Sequence, residues 1–362
     1  MKKNVIDKTV FVGVSGGVDS SVSLALLKEA GYNVVGAFIR TWTPDFIECT
    51  WRDERRDAMR VCASLNVPFL ECDAEDAYKK GVADYMINEY KEGRTPNPDV
   101  MCNREVKFGV FWQFAKAHGA DFIATGHYAQ ILPLINKERA GERFLMRSPD
   151  LSKDQSYFLW TLTEKDLTHT LFPIGHLEKS EVRKLAKKFN LPTATKKDSQ
   201  GVCFLGPLDM KDFLKHYIDA KQGNVETIDG EVIGTHDGVL FYTLGERHGF
   251  NIIKTTPEDA PYYIVAKDVP NNKLIVSHNK NENQNKNEIV ELKNVVIRGG
   301  VEIGKSYLAQ VRYHGENLNI EILEHKDNAL KIKFEKPDSA LASGQSVVIY
   351  DKNICIAGGV VI

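Results

Sequence analysis

A β-branched apolar run, Thr9 to Val14, breaks into Ser15-Gly16-Gly17-Val18-Asp19-Ser20 and continues as a helical stretch to Ala30. Paired glycines between a strand and a helix build a phosphate cradle. They let backbone approach closely, their N–H groups converge, and the helix N-terminus adds partial positive charge. The segment carries neither the lysine of G-x-x-x-x-G-K-[ST] nor the spacing of G-x-G-x-x-G, which sets it apart from both common nucleotide loops. Gly, Ser and Asp instead read as a grip for pyrophosphate, with Ser15 and Ser20 toward phosphate oxygens and Asp19 available to magnesium. A plain βα turn capped by Asp or Ser would hold the same residues, but the flanking strand and helix favour nucleotide binding.

The first half of the chain repeats this alternation. Strands are predicted over 10–14, 34–39, 68–72 and 122–125, and helices over 20–30, 52–65, 74–91 and 107–118. Short apolar strands alternating with helices imply an α/β fold, a doubly wound parallel sheet covered on both faces. Ligands of such sheets sit beyond the strand C-termini, at a switch in strand order. The Ser15–Ser20 loop, Phe38-Ile39 and Gly126-His127 should therefore share one crevice. A helix over 178–189 has a basic face of Lys179, Arg183, Lys184, Lys187 and Lys188, which suits a solvated surface or a phosphate backbone equally.

Beyond about residue 205 the alternation stops. The expected division is a catalytic domain over 1–205, a small central domain over 206–280, and an antiparallel barrel or sandwich over 285–362. Gly238 to Leu244 reads as a strand, and the polar run Asn281 to Glu288 as a linker. Barrel strands are expected over 307–312, 317–322, 330–334, 346–350 and 354–362.

At 362 residues, two or three domains of roughly 100–200 residues are expected. A net charge of −2 excludes a uniformly basic nucleic-acid coat but leaves room for a local basic surface. The N-terminus has no apolar leader-like stretch and no run has transmembrane length, so a cytoplasmic protein without a membrane partner is expected. The six cysteines form no C-x-x-C pair and no metal-ligand spacing, so they are expected to be thiols. Cys62, Cys72 and Cys355 fall in apolar runs and read as structural, while Cys49 is ambiguous.

Cys102 and Cys203 stand apart. Cys102 follows Arg94-Thr-Pro-Asn-Pro-Asp-Val-Met, where two prolines hold the chain extended and place Asn97, Asp99 and Cys102 on a shaped loop. With a helix beginning just after it, and Arg104 and Lys107 nearby, the Cys102 thiol is expected to favour thiolate. Cys203 ends Lys196-Lys-Asp-Ser-Gln-Gly-Val-Cys, another polar, basic-flanked loop. Spacing alone leaves both open as incidental surface thiols.

Together these segments resemble those of the tRNA-specific 2-thiouridylases, the MnmA family of N-type ATP pyrophosphatases. The resemblance runs from Phe11 to the C-terminus. It rests on Gly13 to Ser20, Gly93-Arg-Thr-Pro-Asn-Pro-Asp-Val-Met-Cys-Asn, Ala124-Thr-Gly-His-Tyr128, Lys153-Asp-Gln-Ser-Tyr-Phe158 and Lys197-Asp-Ser-Gln-Gly-Val-Cys-Phe204. It implies an adenine-nucleotide α-hydrolase-like PP-loop fold and ATP-dependent 2-thiolation of a tRNA wobble uridine. ATP with Mg2+ would adenylate the C2 carbonyl oxygen and release pyrophosphate, and persulfide sulfur would then displace AMP.

By the same resemblance, Cys203 carries the persulfide. Cys102 releases the sulfur or closes a disulfide with Cys203, and Asp99 assists proton transfer. Gly13, Val14, Ser15, Gly16, Gly17, Val18, Asp19, Ser20, Ile39 and Gly126 would hold ATP. Asn97, Pro98 and Asp99 would shape the base pocket, and His127, Lys153, Asp154, Gln155, Arg312, Tyr313 and Gln345 would contact tRNA. No metal site of the protein alone is implied. The implied partners are tRNA and a sulfur donor such as a cysteine desulfurase or a relay protein. Two positions depart from the family pattern: Ile39 where Met is common, and Glu246 where Gln is expected. The rival readings are a synthetase that adenylates a small molecule and a sulfur carrier without catalysis.

Overall fold

The computed structural model describes residues 6–47, 51–133, 143–197, 203, 209–219, 221–253, 260–280, 282, 288–336 and 341–362. Strands β1 (Ile6–Gly13), β2 (Tyr32–Arg40), β3 (Phe69–Asp73) and β4 (Phe122–Ala124) come first. A hairpin of β5 (Ala129–Pro133) and β6 (Arg143–Arg147) follows, then the short β7 (Thr170–Leu171). The first sheet runs β3-β2-β1-β4-β7, all pairs parallel. The chain steps outward from β1 to β3 and then crosses to β4 on the other side, so the switch in order falls between β1 and β4. Ser15–Ser20 lie at that switch, where such a sheet opens its crevice.

Helix α1 (Val18–Ala30) is almost wholly buried between this sheet and the helix Lys179–Lys188. Its serines make that burial tolerable. Ser21 Oγ donates to Gly17 C=O at 2.6 Å and Ser23 Oγ to Asp19 C=O at 2.9 Å, so neither hydroxyl is left unpaired. Gly31 ends the helix at φ 95° and donates to Leu27 C=O, the left-handed stop that glycine makes easy.

Two helical rods change their winding midway. The first is α-helical at Glu75–Tyr78, π-helical at Lys79–Asp84 and α-helical again at Tyr85–Lys91. The second runs Pro98–Met101 (α), Cys102–Val110 (π) and Phe111–Ala117 (α). They cross at Gly81, where a Cβ would lie 2.7 Å from Glu105 Cγ. The second rod therefore starts at Pro98, well before the predicted residue 107. Pro98 occupies the first helical position, where a fixed φ and a missing N–H cost nothing. Asn97 caps it by accepting from Val100 N–H at 3.3 Å. The prolines begin this helix instead of excluding it.

The central unit is a five-stranded sheet of β8 (Gly223–Thr227), β9 (Val232–His236), β10 (Asn251–Ile252), β11 (Tyr263–Asp268) and β12 (Lys273–Ser277), ordered β10-β9-β8-β12-β11. The strand predicted from Gly238 is a 3₁₀ turn, Val239–Phe241. Its apolar residues are buried as a plug, a role that a short apolar run shares with strands. The proposed linker, apart from Glu282 and Glu288, lies outside the described residues.

The C-terminal unit comprises β13 (Ile289–Ile297), β14 (Ser306–Gln310), β15 (Leu318–Lys326), β16 (Ala329–Phe334), β17 (Ser346–Asp351) and β18 (Ile354–Val361). These pair as β13-β16-β15-β14-β17-β18, and β13 pairs back onto β18, closing a six-stranded antiparallel barrel. The unit is therefore a barrel, one strand larger than the sequence pattern suggested. β6 pairs with β18 through Ile354↔Met146 and Cys355↔Leu145, so the hairpin of the first unit continues the barrel sheet. One apolar cluster runs through all three units, from Phe11 and Phe111 to Phe213, Ile264 and Tyr350. Arg298, fully buried, donates to Trp160 C=O at 2.7 Å and Cys355 C=O at 3.1 Å.

Gly358 of β18 packs flat against Trp160, with a hypothetical Cβ 2.7 Å from the ring. Trp160 is itself buried and cannot yield. Gly358→Ala is expected to destabilise the chain by about 1–3 kcal/mol, read as a lower Tm by calorimetry.

Candidate active site

At the end of β1, Gly16 adopts φ +69°, and a Cβ there would lie 2.6 Å from Glu54 C=O and 2.8 Å from Asp57 Cβ. Conformation and space both require glycine. Gly126, beyond β4, faces the start of α1 so closely that a Cβ would meet Ser20 N at 2.7 Å. Gly13 lies against Ile39 Cδ1 and Ala124 C=O. Gly13, Ile39, Gly126 and the Ser15–Ser20 loop thus surround the first turn of α1. Val14 and Val18 are buried beneath the loop, and Ser20 Oγ accepts from Ser15 N–H at 3.3 Å, which tightens the turn.

Asp19 is held by two side chains. Lys179 Nζ donates to its two carboxylate oxygens at 2.7 and 2.8 Å, and Tyr128 OH donates at 2.9 Å. Among the described residues no group of three or more His, Cys, Asp or Glu side chains could hold a metal ion.

The second site lies on the Pro98–Val110 rod. Cys102 is wholly buried and Cys203 half-buried. Asp99 Oδ1 accepts from Cys203 N–H at 3.0 Å, and Tyr78 OH donates to Cys203 C=O at 2.8 Å, so the Cys203 peptide is gripped from both sides. The two side chains hydrogen-bond to each other. They are apart by 101 positions in the chain and adjacent in space. Residues 198–202 and 204–208, and Cys49, lie outside the described residues.

The charges are distributed against the sequence expectation. Burial, and then the neighbouring Cys203, push the Cys102 thiol well above its ordinary range. The hydrogen bond from Cys102 lowers Cys203 to about 7, with Lys107 helping against burial. Cys102 is inside a helix and not at its N-terminus, so the dipole that would lower its pKa is absent. Cys203 is the thiolate of the pair and Cys102 the donor.

Burial disfavours charge on Lys107, but Cys203, Cys102 and Asp99 outweigh it and raise its pKa. Burial raises Asp99, opposed by the Cys203 N–H and Lys107. Burial and Lys107 lower His127 far enough to keep it neutral, and its Nδ1 shares a 2.7 Å hydrogen bond with Thr125 Oγ1.

Comparison with known proteins gives this pairing its context. Residues 8–207 match the family described as "tRNA methyl transferase HUP domain", residues 211–278 the "tRNA methyl transferase PRC-barrel domain", and residues 300–361 the "Aminomethyltransferase beta-barrel domain". The tRNA-specific 2-thiouridylase MnmA 2 of Geobacillus kaustophilus is 42% identical over 365 residues, covering 100% of this chain and 96% of that protein. The tRNA-specific 2-thiouridylase MnmA of Listeria innocua is 40% identical with the same coverage. The chain belongs to the tRNA-specific 2-thiouridylase family. Among solved structures, the U34-tRNA thiolase NcsA of Methanococcus maripaludis is 18% identical with a TM-score of 0.36, over 57% of this chain and 64% of that one.

The remaining positions that the 2-thiouridylase resemblance singled out fall into two groups. Asn97 and Tyr313 converge on the adjacent Tyr157 and Phe158, while Gln345 Oε1 accepts from Ala342 N–H at 3.2 Å. Tyr157 receives a hydrogen bond from Asn97 while its OH donates to Val311 C=O at 3.2 Å and Ser346 C=O at 3.0 Å. Tyr313 packs on Phe158, ring centroids 4.5 Å apart, and the adjacent Arg312 is exposed. Pro98 opens the same helix, and Lys153 is half-buried nearby in sequence.

Asp154 and His127 are instead turned inward. Asp154 is 7% exposed and accepts from Ser148 N–H, Ser156 N–H and Ser156 Oγ at 2.8–3.2 Å. Gln155 Oε1 accepts from Tyr128 N–H at 3.0 Å.

Lys107, Tyr78, Lys179 and Tyr128 complete the two sites; the sequence places Lys107 near Cys102 and Tyr128 in the Ala124–Tyr128 motif, but no signal marks Tyr78 or singles out Lys179. Lys179 is one of five basic residues on a helix face. A buried polar partner is visible only once the fold is closed.

Peptide-resolved alkylation with iodoacetamide should modify Cys203 with a midpoint near about 7, its rate rising with pH as the thiolate forms. Cys102 should remain unmodified through that range. Cys102→Ala removes the donor, so the Cys203 midpoint should move upward.

Proposed function

We propose that this chain performs ATP-dependent 2-thiolation of the wobble uridine of tRNA. The observation that carries the reading is the Cys102–Cys203 pair, one thiol and one thiolate in hydrogen-bond contact, in a chain of the 2-thiouridylase family. The uridine C2 oxygen is a poor leaving group. Its attack on the ATP α-phosphorus forms an O–P bond and releases pyrophosphate, after which the oxygen departs with AMP.

The Ser15–Ser20 loop and Gly126 would hold the phosphates, with the free N–H groups of α1 aimed at them. Lys179 is placed to exchange Asp19 for a phosphate oxygen. Magnesium would arrive on the nucleotide, and Asp19 would meet it once Lys179 has turned to the phosphate.

Sulfur enters as a persulfide on Cys203, supplied by a donor such as a cysteine desulfurase or relay protein. The anionic terminal sulfur attacks C2 and AMP leaves. Cys102 then bonds to Cys203 Sγ, its proton passing to Asp99, and the Sγ–S bond breaks with its electron pair leaving on the transferred sulfur. Two cysteine thiols become one disulfide while the sulfane sulfur is reduced, so the electrons balance. A thiol reductant resets the pair. Release of sulfide before attack on C2 balances in the same way.

Asn97, Pro98 and Asp99 would frame the base, with Lys153, Gln155, Arg312, Tyr313 and Gln345 as the tRNA contacts. Asp154 and His127 would act by holding the turns that present those contacts.

The test is mass spectrometry of nucleosides from tRNA incubated with the protein, ATP and a persulfide donor. 2-Thiouridine should form, and Cys203→Ser should lower its rate at least about a hundredfold while tRNA-dependent pyrophosphate release continues. Full thiolation by Cys203→Ser would overturn the mechanism. Affinity for tRNA should fall steeply as salt rises, because a net charge of −2 leaves local phosphate contacts to supply the electrostatic attraction.

A further inference from the structure

The π-helical winding of Cys102–Val110 has a geometric consequence. In an α-helix, positions five apart point to different faces. With i→i+5 hydrogen bonds the winding loosens and they turn toward one another, so Cys102 and Lys107 share a face. Gly109 permits the winding: a Cβ there would lie 2.8 Å from the Arg104 carbonyl, five residues back. On the shared face Lys107 hydrogen-bonds the Cys203 sulfur and lies within electrostatic reach of Cys102 and Asp99.

We propose that Lys107 is the cation that holds the sulfur of Cys203 as an anion, first as thiolate and then as persulfide. This rests on the proposed function. Among the described residues, the titratable groups that act on the sulfur pair are Asp99 from the same rod, Tyr78 from the 75–91 rod and Lys107 itself, with His127 from beyond β4 next to Lys107. Tyr78 keeps its proton because of burial and the nearby sulfurs, and His127 is neutral. Asp99 can only add negative charge. Among these, Lys107 supplies the positive charge.

An ammonium on a flexible four-carbon stem suits the task. It can follow the charge from Cys203 Sγ to the terminal sulfur one bond farther out. When Cys102 bonds to Sγ and the Sγ–S bond breaks, the electron pair leaves on the terminal sulfur beside the same cation.

The test is the pH profile of Cys203 alkylation, followed by peptide mass spectrometry on the full chain without substrates. Lys107→Met should raise the midpoint and slow alkylation near neutral pH about tenfold. Lys107→Arg, which keeps the charge, should stay within about twofold of wild type. Arg104→Met, which removes an exposed charge paired with Glu105, should change nothing.

A natively melting Lys107→Met protein with the wild-type midpoint overturns the proposal. Should Lys107→Met lack a native melting transition, Lys107→Gln takes its place: a raised midpoint supports the role, and a wild-type midpoint in the folded protein refutes it. None of these readings uses thiolation activity, so they remain interpretable even if Cys203→Ser retains thiolation and the proposed function falls.

Discussion

Segment 93–103 is tied to all three units of the molecule at once. Lys267 Nζ, from β11, donates to Gly93 C=O at 3.0 Å and to Tyr242 C=O at 2.8 Å. Thr95 N–H donates to Ser343 C=O of the barrel at 2.8 Å, and its hydroxyl meets Thr243 Oγ1 at 3.3 Å. Asn103 Nδ2 donates to Phe158 C=O at 3.0 Å. Every residue of the sulfur site on this rod inherits its position from these anchors: the cap at Asn97, the helix start at Pro98, then Asp99, Cys102 and Lys107. The central unit and the barrel are thereby part of the site without contributing to its sulfur chemistry. Glu246 has a place in this arrangement. Its carboxylate accepts from Thr243 N–H at 3.0 Å and opposes the burial that lowers Lys267 to about 8.

The electrostatics of the sulfur site follow from burial. Two thiols in an apolar surrounding both resist ionisation. Bringing them into contact lets one proton serve both, and a lysine alongside decides that the remaining charge is retained. The thiolate then belongs to the residue that accepts the hydrogen bond, Cys203, and the donor Cys102 keeps its proton until it is needed. In the proposed mechanism that order loads one sulfur while the other waits.

Features carried by local sequence were legible. Gly16 after an apolar strand announced the tight strand-to-helix turn, because φ and close approach are properties of the residue itself. The alternation of strands and helices gave the parallel sheet, and the spacing of short strands gave the barrel. Long-range pairings were not legible. Asp19 and Lys179 are 160 residues apart, and Asp99 and Cys203 are 104 apart. Pro98 was read as a helix breaker because its effect depends on whether a helix already surrounds it, and there it is the first residue. Val239–Phe241 was read as strand because an apolar run has the same composition whether it pairs or plugs.

The sequence by itself determined the glycine turn after the first strand, the sheet class and the barrel, since each depends on residue types within a short window. The tertiary structure decided that Cys102 and Cys203 meet, which of them ionises first, and that Asp19 pairs with Lys179. Those outcomes depend on distance and burial, and both come into being only when residues far apart in the chain are packed together.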